Sequence, residues 1–391
     1  MFTTPASLPR PARLLITLLL ALVFAGCAEQ RDSVAAQDAP ASAPAASQPM
    51  PIKVVVVTMF ETGKDTGDEA GEFQRWYERR KLDTVFKAPH MHHDIHVNKD
   101  TGVMGIVTGM GTANSAASIM ALGLDPRFDL TDAYWLVAGI SGFDPNDASL
   151  GSVAWADYLV DGDLAHEIDA REIPEDWDHG YFPLFSQGMD DAERSDYSLG
   201  EVFQLNPALV DWAFALTQDM DLPDHPSLAA TRELYVEHEV AQRTPFVLRG
   251  DQLAAMTFWH GKLMNRWAND WVDYWTDSVG EFVSSAMEDT GTYQSLEYLH
   301  RAGKVNKDRL LVLRTASNYT MPPPGKSAAD YLREEQHDSY AGLDAALENA
   351  YLVGSVVVDA LLADWDRYRE VTPGSEAALP DEPAADVDEE G

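Results

Sequence analysis

The sequence is short of cysteine, of basic residues and of long apolar runs, and each shortage removes a class of protein. A single cysteine, Cys27, excludes an intrachain disulfide. With 28 Lys and Arg against 64 Asp and Glu, the formal net charge is −36. Phosphate backbones and anionic membrane surfaces bind through clustered Lys and Arg, so this balance excludes nucleic acid as a partner and disfavours polyanionic substrates. A neutral or cationic small ligand is the easier one to hold. There is no Gly-x-Ser-x-Gly elbow, no phosphate-loop motif and no cysteine after position 27 to act as a nucleophile. Beyond the first 27 residues no apolar run reads as long enough to cross a bilayer, which takes about 20 residues. The chain is therefore not expected to be a channel or carrier by itself.

The termini are set aside before domains are counted. Arg10 and Arg13 precede an apolar run, Leu14 to Phe24, of the length of a secretory h-region rather than a mature span. "FAGC" follows and resembles a lipobox with Phe24 at its first position, which makes Cys27 the expected lipidated residue; an ordinary signal peptide with a chance cysteine is the alternative. The lipobox implies export and an acyl anchor in a bacterial envelope membrane, on the periplasmic side of the outer membrane. Residues 28–51 are Ala, Ser, Pro and Gln without periodicity and read as a tether. Residues 371–391 are acidic, without aromatics, and read as a disordered tail.

Between these lies one large domain, 52–370. "IKVVVVTMFE" reads as a strand buried on both faces, the mark of a parallel sheet. A helix is expected over Glu69–Leu82, then two strands joined by the turn Asn98–Gly102, a helix in "NSAASIMALGL", and strands in "AYWLVAGISG" and "SVAWADYLVD". Residues 164–245 are acidic, aromatic and Pro-punctuated, like an insertion. "RLLVLRTASNYT" is the last strand, and a long helix, Tyr340–Tyr368, closes the domain. Alternating strands and helices predict an α/β fold, a central mixed sheet flanked by helices. In such folds ligands gather where strands end in small residues, as at Phe60-Glu61, Gly109-Met110-Gly111, Gly139-Ile140-Ser141-Gly142 and Ser317-Asn318.

"GIVTGMGTANSAASIMALG", "AMEDTGT" and "RTASNYT" resemble elements of the nucleoside phosphorylase and nucleosidase superfamily. The ordered set "TMFE", "DGDLAHEIDARE", "FWHGKLMNRWANDWVDYWT", "MEDTGT", "TASNYTMPPPG" and "ALENAYLVGS" resembles more closely the purine nucleoside permease family, over essentially all of Ile52 to Tyr368. The resemblance implies a three-layer phosphorylase-like fold and purine nucleosides as ligands, in uptake or salvage. It implies a ribose-binding carboxylate at Glu288, with Met287 packed along the sugar, and a purine reader at Ser317 and Asn318. Glu61 would activate water, as in the hydrolytic branch, and glycine turns at Gly109, Gly111, Gly139, Ser141 and Gly142 would approach the ligand.

Other readings of the same residues stay open. Ser284 or Ser285 with Glu288 and Asp289 is also an acidic, capped helix start. Asn318 is also a turn residue, and Glu61 an exposed loop acid. Asn318 cannot protonate a purine, which suggests 6-oxopurines or a slow leaving-group step. Where phosphorylases carry an Arg and a hydroxyl, Val137 or Ala138 and Ile140 are apolar, and Ser141 is displaced by one. Hydrolysis or plain binding therefore fits better than phosphorolysis. No cofactor is called for, and phosphate would enter only as co-substrate. Trp259, Leu263, Trp267, Trp271 and Trp275 form a stripe that reads as core or subunit interface more readily than as a purine platform. Trp259 and His260 are nevertheless candidates for the base. "HMHHDIH" places His92, Asp94 and His96 on one side of a strand, a zinc-like spacing without a second ligand cluster, and reads as surface strand, not metal site. The competing functions are a nucleoside-cleaving enzyme and a nucleoside receptor feeding a separate transporter, either one open to homo-oligomerisation.

Overall fold

Buried valines set the centre of the sheet. The computed structural model describes residues 48–188 and 200–375. Cys27, the tether as far as residue 47 and the tail from residue 376 lie outside the described residues.

The strands of the main sheet are β1 (Val54–Thr58), β2 (Thr84–Phe86), β3 (Ile95–Asn98), β4 (Val103–Val107), β5 (Tyr134–Phe143) and β6 (Val153–Trp155). They continue as β7 (Tyr158–Asp161), β8 (Val202–Gln204), β9 (Val247–Arg249), β10 (Asp251–Ala254), β11 (Phe282–Ala286) and β12 (Leu310–Tyr319). The order is β8-β7-β10-β11-β5-β1-β4-β3-β2, with β12 on β5 and β6 between β12 and β9. β1, β4, β5 and β12 run parallel, whereas β3, β8 and β11 bring antiparallel pairs. The expected mixed sheet is therefore present, and every residue of β1 is buried, as its continuous valine run requires.

The helices are α1 (Gln74–Arg80), α2 (Thr112–Gly123), α3 (Pro207–Thr217), α4 (Pro226–Arg232), α5 (Lys262–Trp275), α6 (Asp289–Arg301), α7 (Ala328–Asp338) and α8 (Leu343–Ala363). α8 packs on β5, β6 and β12 and meets α1 and α3; α2 packs on α6; α5 covers β7, β10 and β11.

Several elements differ from the sequence reading for local reasons. The helix expected from Glu69 begins only at Gln74, because residues 62–71 form a loop whose ends are tied by Glu61. "SVAWADYLVD" is two strands, since β6 pairs with β12 and β9 while β7 pairs with β8 and β10. The Tyr340–Tyr368 helix breaks at Asp364 into α8 and a short turn, Trp365–Tyr368. "GISG" is not a turn: β5 runs through Gly139–Phe143, paired to Arg314–Tyr319. The tether reading ends too late, because Met50–Pro51 pairs with Phe128–Asp129. Residues 164–245 are joined to the core: β8 extends the sheet and Leu209, Val210 and Ala213 of α3 enter the main core.

One expectation on apolar runs is corrected. α8, 21 residues long, has the length and composition to cross a membrane. Half of its apolar window is buried within the protein, where Ala350, Val353, Val357 and Leu361 join the core against the sheet.

α2 and α6 touch so closely that a Cβ on Gly291 would lie 2.5 Å from the Thr112 carbonyl oxygen. Gly291→Ala should therefore force the two helix starts apart and cost about 1–3 kcal/mol, as overpacking does. Urea unfolding checks this; an unchanged midpoint would show that the contact yields freely.

Candidate functional site

A buried arginine organises the ends of β5, β12 and α6. Arg314, on β12 opposite Gly139 of β5, is 2% exposed. Its Nε and Nη2 donate to the two oxygens of Asp289 at 3.0 and 2.6 Å, Nη2 also donates to Glu288 Oε2 at 3.0 Å, and Nη1 donates to the Ile140 carbonyl at 3.1 Å. Gly139 makes this possible, since a Cβ there would meet Glu72 Oε1 at 2.6 Å and Arg314 Nη1 at 2.7 Å.

Glu288 is 4% exposed and sits where two helices begin. Its Oε1 accepts the Gly111 N–H at 2.9 Å, at the N-cap of α2, and its Oε2 accepts the Met287 N–H at 3.2 Å. Gly111 reaches this position at φ 93°, a region that favours glycine. Burial pushes the Glu288 carboxyl above its usual range, opposed by Arg314 and assisted by the neighbouring Asp289 charge. A carboxylate offers about four acceptor positions. Arg314, Gly111 and Met287 take three, which leaves one for a ligand hydroxyl rather than two. Ser284 and Ser285 do not cap α6; both lie in β11.

Glu72 completes the cluster and had no signal in the sequence beyond being one acid among several in a polar stretch. It is fully buried, and it accepts the Met59 N–H at 2.7 Å and the Ile140 N–H at 2.8 Å. Burial raises its pKa to about 7, against the Arg314 charge and the two backbone donors. Three carboxyls thus share one guanidinium, so the cluster has a surplus of negative charge and a site for a proton near neutral pH.

Glu61 is placed differently from its expected role. Its Oε1 accepts the N–H of Thr62 at 2.8 Å and of Gly71 at 2.5 Å, and its Oε2 accepts that of Gln74, at the start of α1, at 2.5 Å. It closes a loop and caps a helix.

A narrow cleft with about 30 Å³ of free space brings together Gly142, Trp259, Met287 and Asn318 with Thr257 and Thr320. Asn318 lies at an irregularity of β12, where Ser317 is the extra residue between Ala316 and Asn318. The Ser317 hydroxyl donates to the Asn318 Oδ1 at 2.9 Å, and the Asn318 amide donates to the Tyr319 carbonyl at a long 3.3 Å. His260 follows Trp259, stacks near Tyr331 at 5.8 Å and lies against the Tyr319 backbone, and burial lowers its pKa to about 4. Ser141 Oγ is buried without a partner. Gly109 sits against His92, whose Nδ1 would be 2.8 Å from an added Cβ. The tryptophan stripe divides: Trp267 and Trp271 are core, whereas Leu263 is 71% exposed, because α5 begins only at Lys262 and Trp259 packs from the preceding loop.

A family model described as "Purine nucleoside permease (NUP)" matches residues 51–373. The chain belongs to this family. A purine nucleoside permease of Candida albicans (strain SC5314 / ATCC MYA-2876) is 31% identical over 322 residues, 81% of this chain and 77% of that protein. Among solved structures, a Neisseria meningitidis 5'-methylthioadenosine/S-adenosylhomocysteine nucleosidase aligns at TM-score 0.47 and 14% identity, covering 79% of this chain and 99% of that one. The futalosine hydrolase of Helicobacter pylori strain 26695 aligns at TM-score 0.47 and 15% identity, covering 79% and 98%.

The buried carboxyl of Glu72 has a consequence for stability. Its folded pKa, about 7, lies above the 4.5 of a free glutamate side chain, so the folded state holds the proton more tightly than the unfolded one. The contribution is complete below about pH 4.5 and is lost as pH rises through about 7, a change of roughly 3 kcal/mol. Asp147 and Asp251 are also pushed up by burial, to about 7 and about 6, so the quantity to read is the difference between wild type and Glu72→Gln. Denaturant unfolding from pH 5 to 8 should show that difference falling. Parallel curves would place the Glu72 proton elsewhere.

Proposed function

We propose that the cleft of Gly142, Trp259, Met287 and Asn318 binds a purine nucleoside and that the protein cleaves its N-glycosidic bond with water. The observation that carries this reading is the joining of Met287 and Asn318 in one cleft, with Glu288 and the Arg314 cluster directly behind Met287. Asn318 offers hydrogen bonds to the base and Trp259 an apolar wall, whereas His260 packs on Tyr331 outside the cleft lining. The sugar meets the single free acceptor position of Glu288. An oxocarbenium-like sugar gains from the surplus negative charge of three carboxyls around one guanidinium.

Glu72, beside the Arg314 cluster behind Met287, is the candidate base for water, though it stands outside the cleft lining. A general base works best with a pKa near the operating pH, which its burial supplies. Glu61 engages three backbone N–H groups instead. Phosphorolysis is disfavoured because the Arg314 donors face Asp289, Glu288 and Ile140, and the cleft lining contains no Lys or Arg. With Asn318 in place of an acid, the leaving base receives a hydrogen bond but no proton, so 6-oxopurines are the favoured substrates.

Residues 1–27 support export with an acyl anchor on Cys27, at a membrane surface where nucleosides are captured for uptake. The mass of the mature N-terminal peptide checks it: an acylated Cys27 is expected, and a free thiol there would remove the anchor.

A second reading, a receptor that passes nucleosides to a transporter, is favoured by the enclosure of Glu288 and the missing acid at Asn318. Incubation with inosine, guanosine and adenosine, with and without phosphate, separates the two. Free base and ribose without phosphate is the expected result; ribose 1-phosphate that requires added phosphate would overturn hydrolysis, and tight binding without base release leaves the receptor. Glu288→Ala should abolish binding or turnover. Glu72→Gln should keep binding and lower base release by about 10²–10⁴-fold, the usual contribution of a positioned base.

A further inference from the structure

The loop that leads into Glu72 meets two histidines at the edge of the sheet. Asp65 lies in this loop, His93 in the segment before β3, and His96 in β3 itself. The Nε2 of His93 is 3.1 Å from Asp65 Oδ1, and the Nε2 of His96 is 3.2 Å from Asp65 Oδ2. One donor atom from each of the three residues lies within 4.8 Å of the others. These are the residues that a zinc-like spacing should have named. Of the set His92, Asp94 and His96, only His96 takes part. Asp94 pairs with Lys87 at 2.7 Å and accepts the Ala88 N–H at 3.0 Å, and His92 turns to Gly109.

The second observation is lost hydrogen bonding. His96 Nε2 and His93 Nδ1 are buried without a hydrogen-bond partner, while His96 also lies against the Leu82 backbone. His96 Nε2 therefore approaches the carboxylate without bonding to it. Buried polar atoms are nearly always paired, so such a group needs an explanation. His96 is 2% exposed and is held edge-on by Phe73 and Tyr77, at 5.2 and 5.3 Å.

We propose that Asp65, His93 and His96 bind a divalent transition metal of the zinc class, which clamps the loop between Glu61 and Glu72 to the sheet edge. Two imidazoles and one carboxylate select zinc or a similar ion over magnesium or calcium, which prefer all-oxygen shells. The two imidazole nitrogens lie 3.1 and 3.2 Å from separate oxygens of Asp65, and one donor from each residue lies within 4.8 Å of the others, so small side-chain turns bring all three around one ion and leave a fourth position for water. The ion fixes the loop from its middle, as Glu61 fixes its ends.

The test uses full-length protein stripped with a chelator and titrated with zinc alone and with cobalt alone. One equivalent of zinc by elemental analysis, a four-coordinate cobalt spectrum, and slower tryptic cleavage after the exposed Lys64 are expected. Asp65→Ala and His93→Ala, at partly exposed positions, should each weaken binding by at least about 100-fold, because each removes a ligand. His92→Ala should bind as wild type does. Thermal unfolding of each variant without metal verifies that it is folded. Absence of stoichiometric zinc in the wild-type protein, or equal binding by Asp65→Ala and His93→Ala, would overturn the site.

Discussion

The structure depends on one buried cation. The Arg314 guanidinium sits in the sheet with almost no exposure, and moving a charge out of water costs several kcal/mol unless partners replace the hydration. Its partners come from three elements: Asp289 and Glu288 at the start of α6, and the Ile140 carbonyl in β5. Removing one member of such a set typically costs about 3–5 kcal/mol, because the rest remain buried and uncompensated. The ends of β5, β12 and α6 are therefore fixed relative to one another before any ligand arrives. Preorganisation of this kind matters where charge develops during a reaction, since the surroundings need not rearrange at that moment.

The same arrangement explains how a strongly acidic protein holds an acid in its interior. Glu288 accepts the Gly111 N–H at one helix start while it begins another helix, so two dipoles and one guanidinium favour its ionised form. Burial and Asp289 oppose them, and the net shift is upward. Glu72, with only backbone donors of its own, is likewise pushed up by burial, to about 7. Asp289 takes the paired, bidentate place on Arg314.

What could be read from the sequence followed from periodicity and order. The valine run of β1, the turn at Asn98–Gly102 and the strand before Asn318 came out where expected, because burial on both faces leaves an unmistakable apolar run. Met287, Glu288, Ser317 and Asn318 were reached through the resemblance. Arg314 was not: a lone arginine in "LLVLRTAS" looks like a strand residue facing solvent, and only three-dimensional pairing with Asp289 shows otherwise. Glu72 was hidden for a similar reason, since neighbouring Glu69 and Asp68 give it no distinguishing context. The resemblance implies a turn at "GISG", and glycines in a strand commonly mark an interruption. Here Gly139 keeps the strand and clears space for Glu72 and Arg314 instead. The histidine run misled by its alternation. Period two selects His92, Asp94 and His96, but β3 starts only at Ile95, so alternation does not apply to the residues before it.

The segment from Glu61 to Glu72 gathers these themes in twelve residues. Three of its acids have three different tasks, and none is set by residue type. Glu61 accepts backbone N–H groups and holds the loop ends together. Asp65 stands between the imidazoles of His93 and His96. Glu72 enters the core beside a guanidinium and retains a proton near neutrality. Chain connectivity makes these tasks interdependent: Gly71 and Gln74, which bind Glu61, lie one residue before and two residues after Glu72. A shift in the loop must move the Glu72 backbone, and with it the two N–H contacts that tie its carboxylate to β1 and β5. Order in this loop is therefore transmitted to a carboxyl whose proton affinity suits chemistry at neutral pH.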